Sequence, residues 1–166
     1  MIVANDQFKD KEYIDIKDAI LEADGVVIVA SLNGGLCNGV DGLILAESES
    51  FDEIRKEDFD ALVLVGGVGA MTNLGNKDLI TLMKYFVAEK VFGAICIAPR
   101  IPLAAGVLEG YNVTGFDGDR KLIDYIQKGG AKLVHEGVVV DQNVITADSP
   151  MTAWTMGERL VKMLQK

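Results

Sequence analysis

The 166-residue chain has one histidine, two cysteines, three prolines and one tryptophan, and these scarcities exclude several functions. A lone imidazole (His135) and two distant thiols (Cys37 and Cys96), with no CxxC or HxxxH spacing, do not make a metal site. Long apolar runs are missing too. No stretch approaches the roughly 20 apolar residues that span a bilayer. The opening MIVANDQFKDKEY lacks a basic region followed by an apolar run, so no secretion signal is expected and the compartment is read as cytoplasm. In that compartment both thiols stay reduced. Positive charge is in deficit: 16 basic against 25 acidic residues leave a net charge of −9. Such a surface repels phosphate backbones and anionic lipid, so neither nucleic acid nor membrane is an expected partner. Repeats, linkers and low-complexity segments are also absent, and one domain spanning residues 1–166 is expected.

What is present is alternation. Apolar runs of strand length alternate with stretches of helical period, the pattern of βα units and a mainly parallel sheet. Strands are expected at residues 1–4, 26–30, 61–65 and 91–96. Residues 26–30 (VVIVA) are apolar at every position, which predicts a strand covered on both faces. A helix over 9–23 puts Tyr13, Ile16, Ile20 and Ala23 on one stripe. Further helices are expected from Asn76 to about Glu89, over 99–106, over 119–128 up to Gly129-Gly130, and from Pro150 to Leu164. A weak peripheral strand at 42–46, a strand at 111–114 and a hairpin at 138–146 complete the reading.

Cys96 is the residue that points to chemistry. It closes an apolar strand and is followed by Ile97-Ala98-Pro99, with proline suited to open a helix. Such a turn lies at the carboxyl end of a parallel strand, where open α/β sheets place their ligand crevice. Unpaired N–H groups at a helix start favour a thiolate there, and thiolate character governs cysteine reactivity. A buried structural cysteine fits the local sequence equally well. Gly66-Gly67, directly after the strand ALVLV, permits close backbone approach. The N–H of Gly67 and the N–H of Ile97 are then candidate donors to an oxyanion; an ordinary tight turn is the simpler alternative. Neither GxGxxG nor GxxxxGK[ST] occurs, so no phosphate loop is expected. Arg100 either lines the crevice as a fork for a carboxylate or oxidised sulfur, or points outward. Asp148 and Ser149 suit the cap of the last helix.

Taken in order, four segments carry a resemblance: Asp60-Ala-Leu-Val-Leu-Val-Gly-Gly67, Ala94-Ile-Cys-Ile-Ala-Pro99, Leu103-Ala-Ala-Gly-Val-Leu-Glu-Gly110 with Val113-Thr114, and Val138-Val-Val-Asp-Gln-Asn-Val-Ile-Thr146. Together they resemble the ThiJ/PfpI family, the parkinsonism-associated deglycase and intracellular-protease superfamily, which is class I glutamine amidotransferase-like. The resemblance implies a flavodoxin-like three-layer sandwich: a mainly parallel sheet, helices on both faces and a cysteine on a nucleophile elbow. It also implies a first-helix glutamate hydrogen-bonded to the thiol, a position that Glu12 matches. Read locally, Glu12 is only a solvated helix charge. A homodimer is implied, with residues between Ser31 and Glu57 as contributors, and no organic cofactor. The family's Asp148-Ser149 segment approaches the cysteine.

The departures narrow the chemistry. The protease branch has histidine directly after the cysteine, where this chain has Ile97, and a carboxylate after the Gly-Gly turn, where it has Val-Gly-Ala-Met-Thr. The loop after Val113-Thr114 reads Gly115-Phe-Asp-Gly, without the deglycase-branch histidine. His135 is expected on the surface, far from Cys96. The expected function is thiol chemistry on a small electrophile, such as a reactive carbonyl, or response to an oxidant. An intracellular peptidase borrowing a base across a subunit interface, and a non-enzymatic redox sensor or chaperone, are the alternatives.

Overall fold

In a computed structural model, which describes residues 1–73 and 75–166, the element order is β1 (Asp6–Phe8), α1 (Asp10–Glu22), β2 (Ala30–Ser31), β3 (Cys37–Gly39), β4 (Ile44–Leu45), β5 (Glu49–Ser50), β6 (Ala61–Leu64), α2 (Lys77–Glu89), β7 (Val91–Ile95), α3 (Arg100–Ala104), β8 (Asn112–Val113), α4 (Leu122–Gly129), β9 (Lys132–Leu133), β10 (Val138–Asp141), β11 (Val144–Ala147) and α5 (Ala153–Leu164). The central sheet runs β10-β11-β7-β6, parallel except for the β10–β11 hairpin. Ile2 then bridges Leu64 on one side and Ala30 on the other, both in parallel, so residues 1–4 join β6 to the β2–β5 pair. Two small sheets, β1-β3-β4 and β8-β9, lie outside it.

Period-2 alternation sorts the strands' side chains into two layers. Leu62, Leu64, Phe92 and Ala94 pack with Leu79, Met83 and Phe86 of α2 and with Ile101 and Ile126 of α3 and α4. Val63, Ile95, Ile145 and Ala147 face Ile16 of α1 and Met156 and Leu160 of α5. The helices α1 and α5 meet closely at Gly157, where a Cβ would lie 2.6 Å from that of Ala19. The result is the expected flavodoxin-like three-layer sandwich.

Local signals explain several boundaries. Asn76 caps α2 through its side chain, which accepts the Leu79 N–H at 2.8 Å. Helix α4 starts three residues later than the pattern predicts because Asp117 Oδ1 accepts the Leu122 N–H at 2.9 Å and holds the preceding turn. Asp148 and Ser149 do not cap the last helix itself, whose N-cap is Thr152. Ser149 is the N-cap of a short 3-10 turn (Pro150–Thr152) that precedes it, and Thr152 Oγ1 lies 3.0 Å from Asp148 Oδ1 and 2.8 Å from the Ser149 carbonyl. The expectation for residues 26–30 needs correction. Only Ala30–Ser31 is strand, and Val26 and Ile28 are 84% and 37% exposed. The helical layer ends here: residues 25–28 border an open cavity of about 470 Å³ shared with Ile20, Leu160 and Leu164.

Candidate active site

Cys96 follows β7 directly and adopts φ +61°, a left-handed conformation that is rare for any residue but glycine. Two backbone bonds hold it there. Its N–H donates to the Ala147 carbonyl at 2.9 Å, and its own carbonyl accepts the Phe116 N–H at 2.8 Å. This is the expected elbow, at the carboxyl edge of the sheet. One detail differs from the sequence reading: the following helix begins only at Arg100 and is five residues long. So short a helix carries little dipole. The groups that favour a thiolate are instead the N–H of Ile97 and the N–H of Gly67.

Glu12, in the first turn of α1, is fully buried against the elbow. Its Oε2 accepts the Gly66 N–H at 2.8 Å, and its Oε1 has no nitrogen or oxygen partner among the described residues. Gly66 packs against both the carboxyl and the cysteine. A Cβ at Gly66 would lie 2.6 Å from Glu12 Oε2 and 2.8 Å from Cys96 Cβ. Gly67 has φ +95°, and a Cβ there would come within 2.4 Å of the Gln7 carbonyl oxygen. The Gly-Gly turn is therefore required by close approach on both sides, and is more than a tight connection.

Burial dominates the electrostatics. It raises the Glu12 carboxyl to about 7, against the pull of the Gly66 N–H, Cys96 and the Lys9 charge. Burial also raises the Cys96 thiol to about 12, and the Glu12 charge adds to it while the N–H groups of Ile97 and Gly67 oppose it. The higher value belongs to a thiol that faces an ionised carboxylate. With the proton on Glu12 that repulsion disappears, so the two groups titrate as one coupled pair. Between the two values the pair holds a single proton, shared between oxygen and sulfur.

The remaining candidates separate. Arg100 does not offer a free fork to the crevice. It is 3% exposed, with Nη1 on Asp119 Oδ2 at 2.9 Å and Nη2 on both Asp119 Oδ1 and the Phe116 carbonyl. That pairing drives the Asp119 carboxyl down to about 2. His135 is exposed, as expected, but it lies on the elbow side: it lines a cavity of about 410 Å³ together with Gly115, Phe116, Asp148 and Ser149. Cys37 is no open-loop thiol. It is fully buried on β3, with Ser48 Oγ 3.4 Å from its sulfur. No cluster of three or more potential metal ligands occurs among the described residues.

Three contributors escaped the sequence reading. Lys9, bridged to Asp41 at 2.7 Å, is the cation whose charge reaches Glu12; its place just before α1 was the available signal. Phe116 acts through its backbone, which no side-chain pattern reveals. Asp119 lies 19 residues from its partner Arg100, too far for any local rule.

Solved structures of similar proteins carry the same architecture. The DJ-1/PfpI family matches residues 1–163. An uncharacterized protein of Methanocaldococcus jannaschii is 35% identical over 169 residues, covering all of this chain and 82% of that protein. Deglycase PfpI of Pyrococcus furiosus is 30% identical over 166 residues, covering 99% of this chain and 98% of the relative. Among solved structures, a ThiJ/PfpI domain protein from Brachyspira murdochii superposes with a TM-score of 0.92 at 28% identity, covering 99% of this chain and 94% of that one. DJ-1beta of Drosophila melanogaster gives 0.84 at 23% identity, with 99% and 92% covered, a likeness of fold. On the strength of the family match and these relatives, the chain belongs to the DJ-1/PfpI family.

Proposed function

We propose that Cys96 is a nucleophile acting on small electrophiles, reactive carbonyls foremost, with Glu12 as its acid–base partner. The observation that carries this is the buried Glu12 carboxyl, raised to about 7 beside a left-handed cysteine. A general acid–base group works best when its pKa lies near the operating pH, and Glu12 meets that condition in a chain with Ile97 where the protease branch has its imidazole. Sulfur attacks the carbonyl carbon, a C–S bond forms, and the C=O π pair moves onto oxygen. The proton leaving sulfur passes to Glu12 and from there to the new alkoxide, giving a neutral hemithioacetal. Gly67 and Ile97 offer their N–H groups to the developing oxyanion. The name deglycase carried by the Pyrococcus relative is consistent with chemistry at a carbonyl carbon. The same thiol is the natural target of a peroxide, so an oxidation response uses the same residues.

Assembly and setting complete the proposal: a cytoplasmic homodimer. Leu36, Val40 and Ile44, 53%, 50% and 63% exposed, cluster on and beside the β3–β4 hairpin and suit a contact between two copies. The test is consumption of a small dicarbonyl such as methylglyoxal by the wild type, Cys96→Ala and Glu12→Gln. Loss in the first and a large drop in the second support the reading. Undiminished turnover in Cys96→Ala overturns it.

A further inference from the structure

The loop over residues 115–119 is tied to the elbow twice. Phe116 donates its N–H to the Cys96 carbonyl at 2.8 Å. Gly115 passes so close that a Cβ there would lie 3.2 Å from the same oxygen. Four residues beyond Cys96, Arg100 closes the circuit, holding the Phe116 carbonyl at 2.9 Å and both oxygens of Asp119. Its guanidinium carbon lies 5.9 Å from the centre of the Phe116 ring and 5.6 Å from that of Tyr125. The side chain is 3% exposed, and its Nε has no partner among the described residues.

A buried cation is costly to desolvate, and an apolar side chain between the two rings would serve packing as well or better. The guanidinium fork therefore calls for a reason other than stability. A left-handed cysteine persists only when its surroundings over-determine it. Here two hydrogen bonds do so. The one to Ala147 is anchored in the central sheet, whereas the one from Phe116 depends on a loop that Thr146 Oγ1 holds at its start, through the Thr114 N–H, and that Arg100 clamps from the elbow side.

We infer that Arg100 is a positioning residue for Cys96: by clamping Phe116 and Asp119 it presses the 115–119 loop onto the elbow carbonyl and keeps the sulfur against Glu12, Gly67 and Ile97. The same loop forms one wall of the cavity that His135 lines. Asp119, driven down to about 2 by Arg100, keeps the pair ionised through the neutral range. The inference takes its significance from the nucleophile reading, but its test does not depend on it.

The test measures the rate of Cys96 alkylation by iodoacetamide from acid to alkaline pH, with melting curves of the same samples. Arg100→Met keeps the volume between the rings and leaves Asp119 free to be solvated. It should slow alkylation by about ten- to a hundredfold, the scale expected for a small misplacement of a reacting group. The midpoint of the pH profile should move upward as the sulfur leaves its N–H donors. Asp119→Asn should act in the same direction but less, and Asp119→Glu should restore the wild-type profile. If Arg100→Met melts lower yet keeps the wild-type rate and midpoint while folded, the residue is structural and the inference is overturned. Should Arg100→Met fail to fold, Asp119→Asn is read against the same two outcomes. A wild-type Cys96 no faster than a free thiol would sink the proposed function, while a shifted midpoint in Arg100→Met would still establish the clamp.

Discussion

The two cysteines of this chain differ in everything but chemistry. Cys37 lies on β3, fully buried, amid Asn5, Ser31 and Ser48, whose polar atoms mostly bond one another and nearby carbonyls. Cys96 sits one residue past a central strand in a strained conformation, partly open, with a buried carboxyl and two backbone N–H groups against it. The contrast teaches that a thiol's role is set by the backbone that presents it and by the proton acceptor it meets. Among the described residues Cys37 has no carboxyl partner and its backbone is ordinary strand; Cys96 has a left-handed backbone and the Glu12 carboxyl beside it.

The largest effect that sharpens this contrast is on turnover. Cys96→Ala should abolish dicarbonyl consumption, whereas Cys37→Ala should keep it and lose about 1–2 kcal/mol of stability from the vacated volume. Denaturant melts beside the activity assay check both halves. Equal activity losses in the two variants would erase the distinction.

Next comes the acid partner. The Glu12 pKa in the folded chain is raised from its ordinary value, so protonation favours folding. That contribution is full below about pH 4.5 and is lost as pH rises through about 7. At pH 8 the ionised buried carboxyl costs about 3 kcal/mol. Glu12→Gln should therefore melt higher than wild type at pH 8, by up to about 10 °C, and nearly the same at pH 5. Equal shifts at both pH values would place the glutamate's charge in water.

A smaller effect concerns assembly. Sedimentation at micromolar concentration should give twice the 17.9 kDa chain mass, and Ile44→Asp should shift it toward monomer with Cys96 alkylation unchanged. A wild-type monomer removes every mechanism that borrows residues across an interface. The smallest effect is an expected absence. With Ile97 after the cysteine and no carboxylate after Gly67, purified protein should not hydrolyse casein. Cleavage that vanishes in Cys96→Ala would reveal a base supplied from elsewhere.

How far the sequence reaches follows from the range of its signals. β6 and β7 were legible because apolar runs end at glycines or at a helix-opening proline, and Asn76 announced its own cap. Cys96 was legible from its place in that pattern. Glu12 was not: on an amphipathic helix a carboxylate reads as solvated, and only the family resemblance brought it to the thiol. Residues 26–28 misled because uniform apolarity marks an open cavity wall as readily as a covered strand. The two-residue strand β9 is too short for periodicity, and Arg100 finds Asp119 only through the folded loop.

Competitive alkylation of the two thiols decides whether Cys96 is the activated one. The native protein is treated with limiting iodoacetamide between pH 5 and 9, and mass spectrometry follows both thiols in the same sample. Cys96 should be modified first at every pH, with a rate that climbs through about pH 7 as the pair loses its first proton and then levels. Glu12→Gln should abolish that inflection. Faster modification of Cys37, or a Cys96 profile that Glu12→Gln leaves untouched, would contradict the account and return Cys96 to the core.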